Sequence, residues 1–173
     1  MRLSVARCMM LAVLILGFVT AQRLGELLLA RRNTARLRAQ GACEAGAGHY
    51  PLIVLLHATW LGGLWYLVVW GKLAPSPNLV WLGAFAILQA LRIWVIATLG
   101  ARWTTRIIVL PDSPRVSTGP YRFVSHPNYW VVAAEILVLP MVFGLLPYGV
   151  AFSVLNALLL WWRIRMENAA LAR

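Results

Sequence analysis

Apolar residues fall along this chain in long blocks, separated by short polar stretches rich in arginine. A helix needs about 20 apolar residues to cross a bilayer, and the blocks sort against that length. The first runs from Cys8 to Ala30 and is broken by Gln22, Arg23 and Glu26. The second is Pro51 to Gly71, and the third is Leu79 to Gly100, with Gln89 and Arg92 inside it. Two shorter runs follow, Tyr129 to Phe143 and Pro147 to Trp162, separated by Phe143-Gly144-Leu145-Leu146-Pro147 without a charge. The pattern predicts an all-α integral membrane protein with about five transmembrane helices (8–30, 51–71, 79–100, 129–143 and 147–162). The last two form a tight hairpin, and residues 1–173 make a single domain.

Composition agrees. Hydrophobic residues make up 61% of the chain and charged residues 12%, where a soluble domain carries about half and a quarter. The net charge of +11 invites a nucleic-acid reading. The arginines, however, sit in short loops between apolar runs, which is how orientation in a bilayer is encoded, and anionic head groups are their natural partner. Nucleic acid is not an expected partner, and no obligate protein partner is evident. Cys8 and Cys43 give neither a metal spacing nor a disulfide framework, so no metal is expected.

Arginine placement also predicts sidedness. Arg31, Arg32, Arg36 and Arg38, then Arg102, Arg106, Arg115 and Arg122, then Arg163, Arg165 and Arg173 all fall on one side of a five-span chain. Arg2, Arg7 and Lys72 fall on the other, so the first group is expected at the cytoplasmic face with the N-terminus outside. Arg2 and Arg7 followed by Val19-Thr20-Ala21 also match a cleaved signal sequence. Apolar residues continue past that point to Ala30, which favours a retained span.

Three groups of residues can carry chemistry. The stretch from Val116 to Tyr129 is the longest polar segment between apolar runs; Gly119-Pro120 and His126-Pro127 bend it, and Tyr121, Phe123 and Tyr129 offer flat faces. It reads equally as a site for a planar ligand or as an interfacial anchor. At the end of the last run, Arg163 and Glu167 share a helical face with Asn156, suited to a zwitterionic ligand or to a plain surface ion pair. Inside the runs lie Arg23, Glu26, Gln89, Arg92 and Glu135, which face partners or a cavity. Arg23 with Glu26, and Arg92 with Glu135, are the expected pairs, acting as structural glue or, for Arg92, Glu135 and Asn156, as contacts to a substrate. His49 and His57 are read as interfacial or packed histidines.

Gly119-Pro120-Tyr121-Arg122 followed by Ser125-His126-Pro127-Asn128-Tyr129 resembles the signature of the isoprenylcysteine carboxyl methyltransferase family. Arg163 to Asn168 resembles the motif that closes that family's sequence, with Asn168 in place of a second Glu. The stretches Glu26 to Asn33, Gly41 to Gly46, His49-Tyr50-Pro51 and His57 resemble a bacterial branch whose members O-methylate alkylpyrones or related phenolic lipids. The resemblance implies S-adenosylmethionine as cofactor, held by residues 116–173. Gly119, Pro120, Tyr121, His126, Pro127, Tyr129 and Glu167 would bind it, and Arg163 and Glu167 would act in catalysis. The implied enzyme is an O-methyltransferase acting on a lipidic acceptor, either an isoprenylcysteine-type carboxylate or a hydroxyl of an alkylpyrone or phenolic lipid. It would be a multi-pass protein of a bacterial plasma (inner) membrane with its active site facing the cytoplasm. Two rivals share parts of the pattern: a phospholipid N-methyltransferase and a nicotinamide-dependent membrane reductase.

Overall fold

The computed structural model describes residues 2–71, 76–111 and 113–171. Lys72 and Arg173 of the orientation count lie outside the described residues, and so does the side chain of Arg2. The described chain forms α1 (Arg2–Ala39), β1 (Cys43–Ala45), α2 (Tyr50–Trp65), α3 (Leu79–Leu99), β2 (Ile107–Val109), α4 (Pro127–Val142) and α5 (Leu146–Leu171). Among these residues three helical stretches are long and apolar enough to cross a membrane: Ala6–Ala39, Ala47–Trp70 and Leu79–Arg102. A shorter apolar helix covers Pro127–Val142. Leu14, Phe18 and Leu28 on α1, Ile87 and Ile93 on α3, and Leu155 and Leu158 on α5 are exposed. Such a surface suits lipid and not water.

Several boundaries differ from the apolar pattern for physical reasons. The first run ends at Ala30 by hydropathy, yet α1 continues through Arg31 to Ala39. Arg, Ala and Leu are strong helix formers, and a helix that leaves the bilayer no longer needs apolar side chains. Its 38 residues span about 57 Å, well beyond a ~30 Å hydrocarbon core. The helix is unbroken through Val19-Thr20-Ala21, and Ala12, Leu16 and Val19 pack in the core. The last helix likewise continues past Trp162 to Leu171 and so carries Arg163 and Glu167 on one continuous rod. Gly144, at a backbone φ of +73°, turns the chain between α4 and α5 in a conformation that favours glycine.

The fold is all-α, as expected, with one small addition. Two three-residue strands pair antiparallel, with Glu44 opposite Ile108. Glu44 explains the pairing: its carboxylate takes a hydrogen bond from Arg106 at 2.6 Å and another from Arg38 at the end of α1. The polar end of α1 is thereby clamped to the segment that follows α3.

The helices are tied by polar bonds that hydrocarbon would otherwise leave unsatisfied. Trp65 Nε1 donates to Thr20 Oγ1 (3.0 Å), joining α2 to α1, and Trp60 Nε1 donates to the Ile136 carbonyl (3.2 Å), joining α2 to α4. The Tyr148 hydroxyl donates to the Trp60 carbonyl (2.7 Å), joining α5 to α2. Asn33 donates to the carbonyls of Gly100 (3.1 Å) and Trp103 (2.8 Å), fixing α1 against the turn that follows α3.

At mid-depth lies a cluster of ionic side chains. Arg92 on α3 forks onto Glu26 of α1 through Nε (2.6 Å) and one terminal nitrogen (2.7 Å), and its other terminal nitrogen reaches Glu135 of α4 at 2.7 Å. Arg23 bonds both carboxylates, Glu26 at 3.0 Å and Glu135 at 2.8 Å, while Gln89 adds a bond to Glu135 at 2.8 Å. Two cations thus meet two anions, and the charges cancel. Both expected pairs form, and they form as parts of one network.

Candidate active site

The residues of the two C-terminal motifs meet where α4 begins and α5 ends. Pro127 opens α4, as proline does well in a first helical turn, and so sets Asn128 and Tyr129 at the helix start. Arg163 Nε donates to the Tyr129 hydroxyl at 2.7 Å, and that hydroxyl donates onward to the Glu167 carboxylate. The Arg163 guanidinium also donates to the Thr105 carbonyl at 3.0 Å. The His126 ring stacks on Tyr129 with centroids 5.2 Å apart and an interplanar angle of 10°, and its Nδ1 lies 3.8 Å from Glu167. A cation, a phenol, a carboxylate and an imidazole therefore stand in one row. Burial, with the nearby Glu167 carboxylate adding to it, pushes the Tyr121 phenol up to about 12. Tyr121 therefore remains a protonated donor at neutral pH.

Gly119 and Pro120 shape the loop that carries these groups. Pro120 is buried and its carbonyl accepts from the amides of Phe123 (3.2 Å) and Val124 (3.3 Å). Gly119 has φ +56°, and a Cβ there would lie 2.5 Å from Thr98 Oγ1 on α3. Gly119→Ala is accordingly expected to cost about 1–3 kcal/mol from the backbone conformation alone. A melting curve in nanodiscs should show the drop, with Thr98→Ala in the same chain recovering part of it. The recovery is partial because the collision goes and the backbone cost remains.

Beneath the row a cavity of about 310 Å³ opens between α1, α2 and α5. Tyr129 and Arg163 stand in its wall and also in the motif row, so the two features are continuous. Tyr50, whose hydroxyl is 3.1 Å from Thr105 Oγ1, closes the same end. Asn156 lines the cavity, is buried, and has no hydrogen-bond partner among the described residues. Arg92 lines it while engaged with Glu26 and Glu135. Glu135 does not line it; it sits behind Arg23 and Arg92 and holds them in place. Gly119, Pro120, Tyr121, His126, Pro127 and Glu167 likewise stand outside the cavity wall; His126 and Glu167 adjoin it through Tyr129.

Several participants had no distinguishing mark in the sequence. Thr105 joins Arg163 to Tyr50 through its carbonyl and hydroxyl. Trp103 Nε1 and Asn128 Oδ1 are buried at the cavity without a partner. His57 also lines the cavity, and the available signal was its spacing: seven residues after Tyr50, on the same face of α2.

The groups present suit an amino-acid-bearing nucleoside such as S-adenosylmethionine. A stacked His126–Tyr129 pair offers a plate for a purine, and the part-exposed Glu167 carboxylate suits ribose hydroxyls or an ammonium. One terminal nitrogen of Arg163 has no partner among the described residues and can take a carboxylate. The orphaned Asn128 Oδ1 awaits a donor. No cluster of metal-binding side chains occurs among the described residues.

Comparison with known proteins identifies the family of the chain. A sequence model described as the isoprenylcysteine carboxyl methyltransferase (ICMT) family matches residues 81–173, which hold both motifs. The uncharacterized protein YpbQ of Bacillus subtilis is 38% identical over 161 residues, covering 91% of this chain and 95% of that protein. No solved structure matches the chain.

Proposed function

The chain belongs to the isoprenylcysteine carboxyl methyltransferase family of membrane methyltransferases, and we propose that it transfers the methyl group of S-adenosylmethionine to an oxygen of a lipidic acceptor. The observation that carries this reading is the row Arg163–Tyr129–Glu167 with His126 stacked on Tyr129, at the mouth of a largely apolar cavity between helices. In this reading Gly119, Pro120, Tyr121, His126, Pro127, Tyr129 and Glu167 form the cofactor site within residues 116–173, and Arg163 and Glu167 act in catalysis. Arg92 and Asn156 face the acceptor; Glu135 acts through Arg92. Five spans, with α4 and α5 as the closing hairpin, put the arginine-rich end at the cytoplasmic face of a bacterial inner membrane.

When bound, the cofactor supplies an already activated methyl group, so proximity and orientation account for most of the help the protein must give. Arg163 fixes the Tyr129 hydroxyl through Nε, and Tyr129 in turn fixes the Glu167 carboxylate. Neighbouring hydrocarbon lowers the dielectric around the cavity and strengthens the Arg163–Tyr129 contact in its wall. The polar mouth admits a soluble cofactor from water; the apolar interior receives a greasy acceptor from the bilayer.

Calorimetry on the full chain in nanodiscs tests the reading. S-adenosylmethionine and its demethylated product should both bind, and NADPH should not. Silence with both sulfur compounds would overturn the enzyme assignment, and heat with NADPH alone would point to a reductase. Product analysis after incubation with labelled cofactor and total lipid then separates O-methylation from head-group N-methylation.

A further inference from the structure

We propose that the cavity holds a second polar subsite, built from Asn156, Arg23 and His57, which takes a hydroxyl on the acceptor's own hydrocarbon tail, roughly 10 Å from the reacting end. This inference rests on the methyltransferase reading above and adds to it a requirement on the tail, whichever head group is methylated.

The cavity wall has two polar levels. At the mouth, Thr105 joins Tyr50 of α2 (3.1 Å) to Arg163 of α5 (3.0 Å). Farther along the same two helices, the Tyr148 hydroxyl near the start of α5 donates to the Trp60 carbonyl on α2 (2.7 Å). The two helices therefore run antiparallel and are tied at two depths. His57 follows Tyr50 by seven residues and Asn156 precedes Arg163 by seven, which is two turns, or roughly 10 Å, in each case. Both thus stand at one depth, between the ties, and both line the cavity. Arg23 of α1 lines it too and is close enough to His57 to act on it electrostatically. Between the two levels the wall of α2 and α5 is hydrocarbon, from Ile53, Val54, Leu159 and Leu160.

The deeper level is left with unmet hydrogen-bonding capacity. Asn156 is 2% exposed and has no hydrogen-bond partner among the described residues. Arg23 engages Glu26 and Glu135 through its terminal nitrogens and keeps its Nε–H buried without a partner among them. His57 Nδ1 lies 2.8 Å from the Ile53 carbonyl, which only accepts, so that nitrogen carries the hydrogen and Nε2 presents a lone pair. Buried polar groups normally have partners, and hydrocarbon around the helices supplies none. Helix pairing does not account for these three groups, since Arg92, Glu26 and Glu135 already make the ties at this depth. A plain methylene chain would leave all three unmet. A hydroxyl meets them from both sides: its oxygen accepts from Arg23 Nε–H and the Asn156 amide, and its hydrogen goes to His57 Nε2.

The spacing sets where that hydroxyl sits. An extended alkyl chain, with C–C bonds of about 1.5 Å, covers ~10 Å in roughly eight bonds. Leu24 and Val54 line the cavity and are also exposed, so the tail beyond that point has an outlet to lipid between α1 and α2.

The test uses the full chain in nanodiscs with S-adenosylhomocysteine present, and reads affinity from the rise in melting temperature across a titration. The probes are pentadecyl chains with a hydroxyl on the fourth, eighth or twelfth carbon, carried on resorcinol in one series and on the sulfur of N-acetylcysteine in the other. Within a series the isomers share one composition and partition alike into the bilayer, so only the position of the oxygen differs. In the head-group series that binds, the eighth-carbon isomer should bind about tenfold or more tightly than the other two, the preference one net hydrogen bond gives. Asn156→Leu should abolish that preference while affinity for S-adenosylhomocysteine stays within about twofold. An eighth-carbon ketone should bind more weakly than the alcohol, because it has no hydrogen for His57. Equal affinity of the three isomers in both series, the result for a cavity that merely holds water, would overturn the proposal. So would a preference that survives Asn156→Leu, and a ketone equal to the alcohol would remove His57 from the subsite. Should Asn156→Leu fail to fold, the isomer order in the wild type decides alone. Absence of S-adenosylhomocysteine binding would instead remove the methyltransferase reading, and the isomer order, measured without it, would still decide the subsite.

Discussion

Glu167→Ala is expected to abolish measurable methyl transfer while the protein still inserts and folds. The Glu167 side chain is 24% exposed and lies outside the core, so its removal opens no cavity. What it removes is the acceptor for the Tyr129 hydroxyl and the carboxylate facing His126. A charge-assisted hydrogen bond contributes about 1.5–3 kcal/mol, so cofactor affinity should weaken by roughly ten- to a hundredfold in calorimetry. Arg163→Ala should be as damaging to turnover, with a loss of about 10²–10³-fold of the kind seen when a preorganised donor is removed. It should also lower thermal stability, because Arg163 is 7% exposed and its loss strands the Thr105 carbonyl. Near-normal turnover in both variants would contradict the assigned site. Glu167→Gln sharpens the reading: it keeps shape and an accepting oxygen but lacks the charge, and should fall between wild type and Ala.

Much of the architecture was visible in the hydropathy pattern because bilayers impose length and polarity together. The interiors of the apolar blocks became helices. Their ends did not follow the pattern, since Arg31 to Ala39 and Arg163 to Leu171 are helical for reasons of propensity and not of burial. The β1–β2 pair escaped notice because three-residue strands have no periodicity to detect; Arg38, Glu44 and Arg106 fix them through contacts between distant segments.

The site was legible where its residues were close in sequence. His126 and Tyr129 stack because three residues separate them at a helix start, and Arg163 and Glu167 share a face because four separate them. That Tyr129 bridges Arg163 to Glu167 depends on α4 meeting α5, which no local spacing encodes. His57 reads from sequence as an interfacial or packed histidine for the same reason. Its Ile53 bond is local, but the cavity it lines is built from α1, α2 and α5 together.

The buried ion network should prove more sensitive to a single change than to a paired one. Arg92→Leu leaves Glu26 and Glu135 with Arg23 alone, hence one uncompensated negative charge among the helices. Breaking a buried pair from one side costs about 3–5 kcal/mol, enough to remove most folded protein from a membrane preparation. Arg92→Lys should be intermediate: it keeps the charge but cannot fork onto both oxygens of Glu26 while reaching Glu135. Arg92→Leu combined with Glu26→Leu should be milder than Arg92→Leu alone, because it leaves Arg23 and Glu135 as a matched pair 2.8 Å apart. Thermal unfolding of the three proteins in nanodiscs gives the order directly. A double variant less stable than the single one would mean that packing around Arg92, and not charge balance, holds α1 to α3 and α4. The mouth residues lie on other turns, so the double variant should still bind S-adenosylhomocysteine. Its turnover should nevertheless drop, since Glu26 and Arg92 form part of the cavity wall.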